Sequence, residues 1–331
     1  MSQQGYFKLS LFAALLALSV VLLGAYTRLG DAGLGCPDWP GCYGHLDVPE
    51  AEHEVAAAEQ AFPERPVEAA KAWKEMVHRY FAGTLGLVIL ALMLIRLMSQ
   101  RITRPGKGLP VALVALVIFQ AALGMWTVTL LLKPVVVMGH LLGGFATLSL
   151  LWLMVSMQRQ WFNYDSSALA NLKPLAWLGL VLLIAQISLG GWTSSNYAAL
   201  ACTDFPTCHG QWLPEADFAE GFVLWRGLGV NYEFGVLDNP ARVAIHLTHR
   251  IGALVVFLYL SFLTWKVWSV SRGTGRNLAI AIGTLLLLQV TLGILNVVMH
   301  LPLGIAVAHN GVAALLLLAM VTLTHAATRY R

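Results

Sequence analysis

The sequence predicts an all-α integral membrane protein with eight transmembrane helices, arranged as two tandem four-helix bundles related by a pseudo-twofold axis. Three observations predict it. Of the 331 residues, 58% are hydrophobic and 11% are charged, whereas a soluble domain carries about a quarter charged. Eight apolar runs approach the ~20 residues needed to cross a bilayer core. Landmarks of the first half also recur, in the same order, in the second.

The spans are expected at 8–29, 76–98, 109–131, 135–157, 174–195, 243–265, 278–299 and 302–324. The first begins almost at Met1 and seven more follow, so it reads as a span and not as a cleaved signal. The loops after spans two and six carry Arg96, Arg101, Arg104 and Lys107, then Lys266, Arg272 and Arg276, and Arg329 and Arg331 end the chain. Basic residues are retained on the cytoplasmic side, so both termini are expected there, in a bacterial plasma (inner) membrane. The opposite loops, 31–74 and 195–242, hold every acidic residue except Glu75 and Asp165. The net charge of +4 therefore reflects sidedness and gives no sign of nucleic-acid binding.

All four cysteines lie in these outer loops, as Cys36 with Cys42 and Cys202 with Cys208. In an oxidising compartment each close pair is expected to form a disulfide. A zinc or thiol-redox site is the rival reading, but zinc is disfavoured by the five-residue gap and the absence of a second nearby pair.

The repeat fixes the domain division. Gly24-Ala25-Tyr26-Thr27 recurs as Gly190-Gly191-Trp192-Thr193, and Cys36-Pro37-Asp38-Trp39-Pro40-Gly41-Cys42 as Cys202-Thr203-Asp204-Phe205-Pro206-Thr207-Cys208, both at an offset of 166. His78-Arg79 matches His249-Arg250 at 171. Gln120, Gly124 and His140 match Gln289, Gly293 and His309 at 169. Both copies start on the same side, so the repeat is parallel. The halves are expected at 1–160 and 161–331.

Intramembrane ionisable groups are costly and point to function. Of ten histidines, four occupy repeat-matched positions: His78 with His140, and His249 with His309. Each sits a few residues inside the outer end of its span, ~6–10 Å below the interface. In each pair the two rings are expected at one depth, on neighbouring helices. Two imidazoles meeting inside a four-helix bundle suit the axial positions of a haem iron. Gly83, Gly139, Gly143, Gly144, Gly252 and Gly311 are expected to let the flat macrocycle approach. The bland alternative is interhelical hydrogen bonding alone, the role expected of Gln120 and Gln289.

Glu75 lies one helical turn before His78 on the same face, beside anything bound there. His246 takes its place in the second half, so one pocket carries an acid and the other does not. This points to chemistry in the first half and to holding or electron passage in the second, unless Glu75 only neutralises Arg79 or Arg242. Arg79 and Arg250 are expected at the pocket mouths, facing haem propionates. Segment 215–240 is expected to form a partial lid over its own half.

These residues resemble the haem A synthases of terminal-oxidase biogenesis. The resemblance rests on Glu75-Met76-Val77-His78-Arg79, His140, His249-Arg250, His309, the paired loop cysteines and the eight spans, and it covers nearly the whole chain. It implies oxidation of the C8 methyl group of haem o to the formyl group of haem a. His249 and His309 would ligate a resident haem b, His78 and His140 would hold the substrate iron, and Glu75 would be the acidic residue beside the substrate. Haem o synthase and cytochrome oxidase assembly factors are the implied protein partners, with homo-oligomerisation left open. Two other classes stay open from the residues themselves, a dihaem b-type electron carrier and a periplasmic thiol oxidoreductase using the loop cysteines.

Overall fold

The computed structural model describes residues 1–159 and 166–329. Asp165, Arg331 and the expected boundary at 160/161 lie outside the described residues. Eight described helices are long and apolar enough to cross a membrane. These are α1 (Gln3–Leu29), α3 (Ala69–Met98), α4 (Gly108–Thr129), α5 (Pro134–Met157), α7 (Lys173–Ser195), α9 (Asn239–Val270), α10 (Thr274–Val298) and α11 (Leu303–Thr328). Shorter helices are α2 (Glu52–Ala61), α6 (Ser166–Ala170) and α8 (Phe218–Gly221). Leu15, Leu87, Ile118, Leu258 and Leu287 are exposed on the outward faces, as a lipid solvent requires.

Two spans begin several residues earlier on the loop side than hydropathy indicates. Helix α3 starts at Ala69 and α9 at Asn239, because turns carrying Lys71, Lys74, Glu75 and Arg242 continue the helical hydrogen bonding beyond the apolar run. Pro240 sits in the first turn of α9, where its missing N–H costs nothing. Glu75, in the added turns of α3, and His246, one turn after those of α9, lie at the base of the outer loops.

Helix α1 packs against α3 and α5, and α4 packs against the same two, so α3 and α5 face each other across a diagonal. Helices α7, α9, α10 and α11 repeat this arrangement, with α9 and α11 on the diagonal. The histidine-bearing helices are therefore diagonal partners and not the expected neighbours. Contacts of α1 and α5 with α11, and of α5 with α7, form the seam. Trp152 Nε1 donates to Thr322 Oγ1 across it at 2.8 Å.

The apolar core gathers toward the end of the molecule that carries both termini. It runs continuously through Tyr6, Ala13, Leu92, Leu113, Leu151, Ala176, Leu260, Ile282 and Leu323. The histidines lie beyond it, toward the loop end, among glycines and small polar groups. Dense packing thus holds the helices from one end and leaves the other for a site.

Each cysteine pair is at bonding distance, 2.03 Å for Cys36–Cys42 and 1.99 Å for Cys202–Cys208. The two small loops are copies. Asp38 accepts from the Tyr43 and Gly44 amides at 2.6 and 2.7 Å, and Asp204 accepts from those of His209 and Gly210 at 2.6 and 3.0 Å. Isolated antiparallel bridges, Cys42 with His45 and Cys208 with Gln211, close them. Gly44 and Gly210, at φ of 80° and 71°, occupy the left-handed region that the turn demands.

Candidate functional site

All four matched histidines are seated in the same way, each against a glycine of an adjacent helix. A Cβ placed on Gly24 of α1 would come within 3.0 Å of the His78 ring, and one on Gly124 of α4 within 3.4 Å of His140. In the second half the distances are 3.3 Å from Gly190 of α7 to His249 and 3.2 Å from Gly293 of α10 to His309. At Gly24, Gly293 and Gly190 a Cβ would press on the ring, whereas at Gly124 it would make ordinary contact. These four seats differ from the glycines expected to admit a macrocycle. Of those, Gly143 accommodates Gln120, Gly252 accommodates Gln186 and Gly311 accommodates Leu22. Gly83 faces open space, and Gly139 and Gly144 meet nothing closer than 4.0 Å.

The rings of His78 and His140 approach across the α3–α5 diagonal with centroids 6.5 Å apart and planes at 87°. Imidazole–metal bonds of ~2.0–2.1 Å, extended by ~1.1 Å from nitrogen to ring centre, place two trans rings with centroids roughly 6.3 Å apart. The observed 6.5 Å lies within a few tenths of an ångström of that spacing. Nδ1 of His78, His140 and His309 is buried without a hydrogen-bond partner, a costly condition that a ligand relieves. Among the described residues no cluster of three or more metal-binding side chains occurs. A haem iron needs only one or two from the protein.

The sockets differ in what steadies the histidine. Gln186 of α7 lies with its side-chain nitrogen 3.1 Å from His249 Nδ1 and donates to the His249 carbonyl at 3.0 Å. Any side chain at position 252 would collide with Gln186. The repeat places Val20 and Phe81 where the second half has Gln186 and Gly252, so no amide reaches His78 in this way. Gln289 lies 3.2 Å from His309 Nε2, whereas the Gln120 side-chain nitrogen is buried without a partner. Sequence reasoning missed Gln186. Its only signal was an amide inside an apolar run, at a position the repeat does not match.

Glu75 is buried at the base of the first disulfide loop. Its Oε2 accepts from the Cys36 amide at 3.0 Å, and its Oε1 pairs with Arg79 Nη2 at 2.6 Å. His246 fills the same slot in the second half, its Nδ1 accepting from the Cys202 amide at 3.4 Å. The acid therefore holds the loop as well as flanking His78. Arg79 also donates to the carbonyls of Pro40 and Gly41. Arg250 likewise holds the carbonyls of Thr207, Cys202 and Asp204 at 2.8, 3.2 and 2.9 Å. Both arginines direct these donors at the loops rather than at a propionate. The Asp204 carboxyl is held well below the usual carboxylate range by the Thr207 hydroxyl and by the amides of Gly210 and His209.

The second outer loop is not a lid over its own half alone. Trp192 Nε1 holds the Gly221 carbonyl at 2.9 Å on the home side. Beyond it the chain crosses to the first half. There the Tyr232 amide donates to Leu131 O at 3.0 Å, and Lys133 donates to Gly227 O with its ammonium over the Trp225 ring. Glu233 pairs with Arg65 of the first loop at 3.0 Å.

A family model described as cytochrome oxidase assembly protein (COX15-CtaA) matches residues 8–321. The heme A synthase of Shewanella oneidensis is 52% identical over 93% of this chain and 92% of its own length. Heme A synthases of Erythrobacter litoralis, at 27% over 94% of each chain, and of Chelativorans sp., at 28% over 90% and 84%, are also similar. Matched from its first membrane helix to its last, and carrying four glycine-seated histidines, the chain is a multi-pass membrane protein that belongs to the COX15-CtaA family of cytochrome oxidase assembly proteins.

Proposed function

We propose that the chain is a haem A synthase in which the first half, residues 1–160, holds haem o and the second half, residues 161–331, holds a resident haem b. The enzyme oxidises the C8 methyl group of haem o to a formyl group, giving haem a. The observation that carries the division of labour is the inequality of two otherwise matched sockets. Glu75 stands beside His78 where the second half has His246, and Gln186 steadies His249 where the first half has Val20. A socket that grips its ligand permanently gains from an anchored histidine. A socket that must release a product does not.

In this reading His78 and His140 fix the substrate iron, and ring position then orients the methyl group toward Glu75. Arg79 and the Cys36 amide keep the Glu75 carboxylate in one place, ready to accept a proton as the methyl group is oxidised. The crossing segment from Trp225 to Glu233 covers the first half and limits water. Bound at His249 and His309, haem b supplies one-electron transfer. The basic short loops favour cytoplasmic termini in the bacterial inner membrane, with both disulfide loops outside. Haem o synthase and oxidase assembly factors are the fitting partners.

Acid–acetone extraction followed by chromatography tests this. Protein made in cells that supply haem o is expected to contain haem b together with haem o or its oxidised products. Glu75→Gln is expected to keep both pigments and lose haem a. Two haem b per chain with no haem o or haem a would instead establish an electron carrier, and full haem a production by Glu75→Gln would remove Glu75 from the chemistry.

A further inference from the structure

Arg79 and Arg250 direct these donors at the loops, and the seam between the halves holds a further cation. Arg28 is in the last turn of α1, one turn beyond Gly24, on which His78 rests. Its side chain leaves its own half. Nη2 donates to the Ser194 carbonyl at 2.8 Å, and the guanidinium carbon lies 4.2 Å from the centre of the Tyr197 ring. Ser194 is one turn beyond Gly190, on which His249 rests, so the guanidinium sits at the loop end of the second socket.

Both members of this pair have unmet polar atoms. Arg28 Nε and the Tyr197 hydroxyl are each buried with no hydrogen-bond partner. No ion pair reaches Arg28 among the described residues. Tyr197 is held in a left-handed conformation at φ 53°, with Phe234, next after the crossing segment, 6.1 Å from its ring. A buried guanidinium Nε–H and a phenol side by side, both lacking an acceptor, are unfavourable unless an anionic oxygen joins them. A carboxylate matches the guanidinium fork and accepts the phenolic proton as well.

We propose that Arg28 and Tyr197 form a carboxylate site that takes a propionate of the porphyrin held by His249. The first half would thereby complete the socket of the second. The matched position of Arg28 in the second half is Ser194 itself, so the pseudo-symmetry supplies no second copy of this cation. The inference rests on the haem reading above.

The test uses the full-length chain, with His78→Ala added so that only the second socket is scored. Apoprotein in detergent is titrated with haem b and with its dimethyl ester, whose carboxylates are capped. The parent is expected to bind haem b about tenfold or more tighter than the ester. Arg28→Gln and the near-isosteric Tyr197→Phe should each reduce that preference severalfold, and Arg28→Lys should keep part of it. Arg242→Gln, which removes an arginine of the second half that also has a buried, unpartnered Nε, should leave it intact. Full preference retained in both Arg28→Gln and Tyr197→Phe would overturn the site, as would an equal loss in Arg242→Gln. A parent that binds haem b and ester equally refutes the carboxylate site alone, whereas one that binds neither refutes the haem reading with it.

Discussion

The glycine seats yield a graded prediction. Ordinary van der Waals contact begins at 3.4 Å, and an added Cβ would stand 3.0 Å from His78 at Gly24, 3.2 Å from His309 at Gly293, 3.3 Å from His249 at Gly190 and 3.4 Å from His140 at Gly124. Alanine therefore asks the His78 ring to withdraw by about 0.4 Å and the His140 ring hardly at all, where metal–ligand distances tolerate about 0.2 Å. A ring forced as far as ~30° off its rotamer costs about 0.5–1.5 kcal/mol, so roughly 2- to 10-fold in haem affinity is the upper bound. Helix propensity acts in the opposite direction, since Gly→Ala in a helix interior favours the helix by about 1 kcal/mol. Haem loss thus cannot be assigned to a weakened fold. Haem per chain, from the pyridine haemochrome of purified protein, should fall most in Gly24→Ala, slightly in Gly293→Ala and Gly190→Ala, and not in Gly124→Ala. Equal losses at all four positions, or a greater loss at Gly124 than at Gly24, would refute the seating argument.

Other perturbations separate the loops from the sockets. Gln186→Leu removes the amide beside His249 and should weaken retention of the second haem about 10- to 100-fold, leaving the first unchanged in spectra of His78→Ala and His249→Ala backgrounds. The Asp204 carboxyl, lowered chiefly by Thr207, supports its loop at every pH above its unfolded value of ~3.9 and loses that support only as pH falls toward its folded value. Amide exchange at His209 and Gly210, corrected for intrinsic rates, should therefore match at pH 7 and pH 5 and rise severalfold in Asp204→Asn. Glu233→Lys should expose the crossing segment to protease by breaking the ion pair with Arg65. Arg65→Glu in the same chain should restore protection, within the ~1 kcal/mol that such a partly exposed pair supplies.

Much of this architecture was legible because a bilayer imposes simple rules. Eight apolar runs became eight helices since no other structure satisfies an isolated backbone in lipid. Hydropathy placed the starts of α3 and α9 too late, because Lys71, Lys74 and Glu75 read as loop residues while their backbone continued the helix. The repeat located both disulfide loops and all four histidines. Arg79 and Arg250 reach the loops for a geometric reason. Consecutive helical residues point about 100° apart, so an arginine next to an inward histidine faces the loop and not the pocket. Gln186 with Gly252 stayed hidden for a different one. Searching for matched positions finds what the halves share, and their difference lies where Val20 and Phe81 do not match.

The slot shared by Glu75 and His246 separates a structural duty from a chemical one. Each residue accepts the amide of the first cysteine in its loop, Cys36 at 3.0 Å and Cys202 at 3.4 Å. Histidine thus suffices to hold such a loop. The arginine one turn later also manages without a carboxylate, as Arg250 shows by fastening its loop through carbonyls alone. Glu75→His should accordingly keep the first loop closed and both haems bound, because it copies the second half into the first. What it removes is the carboxylate beside His78, the proton acceptor of the proposed reaction. Exchange protection of the Cys36 amide together with haem a yield reads both properties in one protein. Protection retained with haem a abolished assigns the carboxylate to chemistry. Haem a yield that survives the substitution reduces Glu75 to a loop anchor, and a loss of both would mean that the two halves hold their loops by different physics despite their matched sequences.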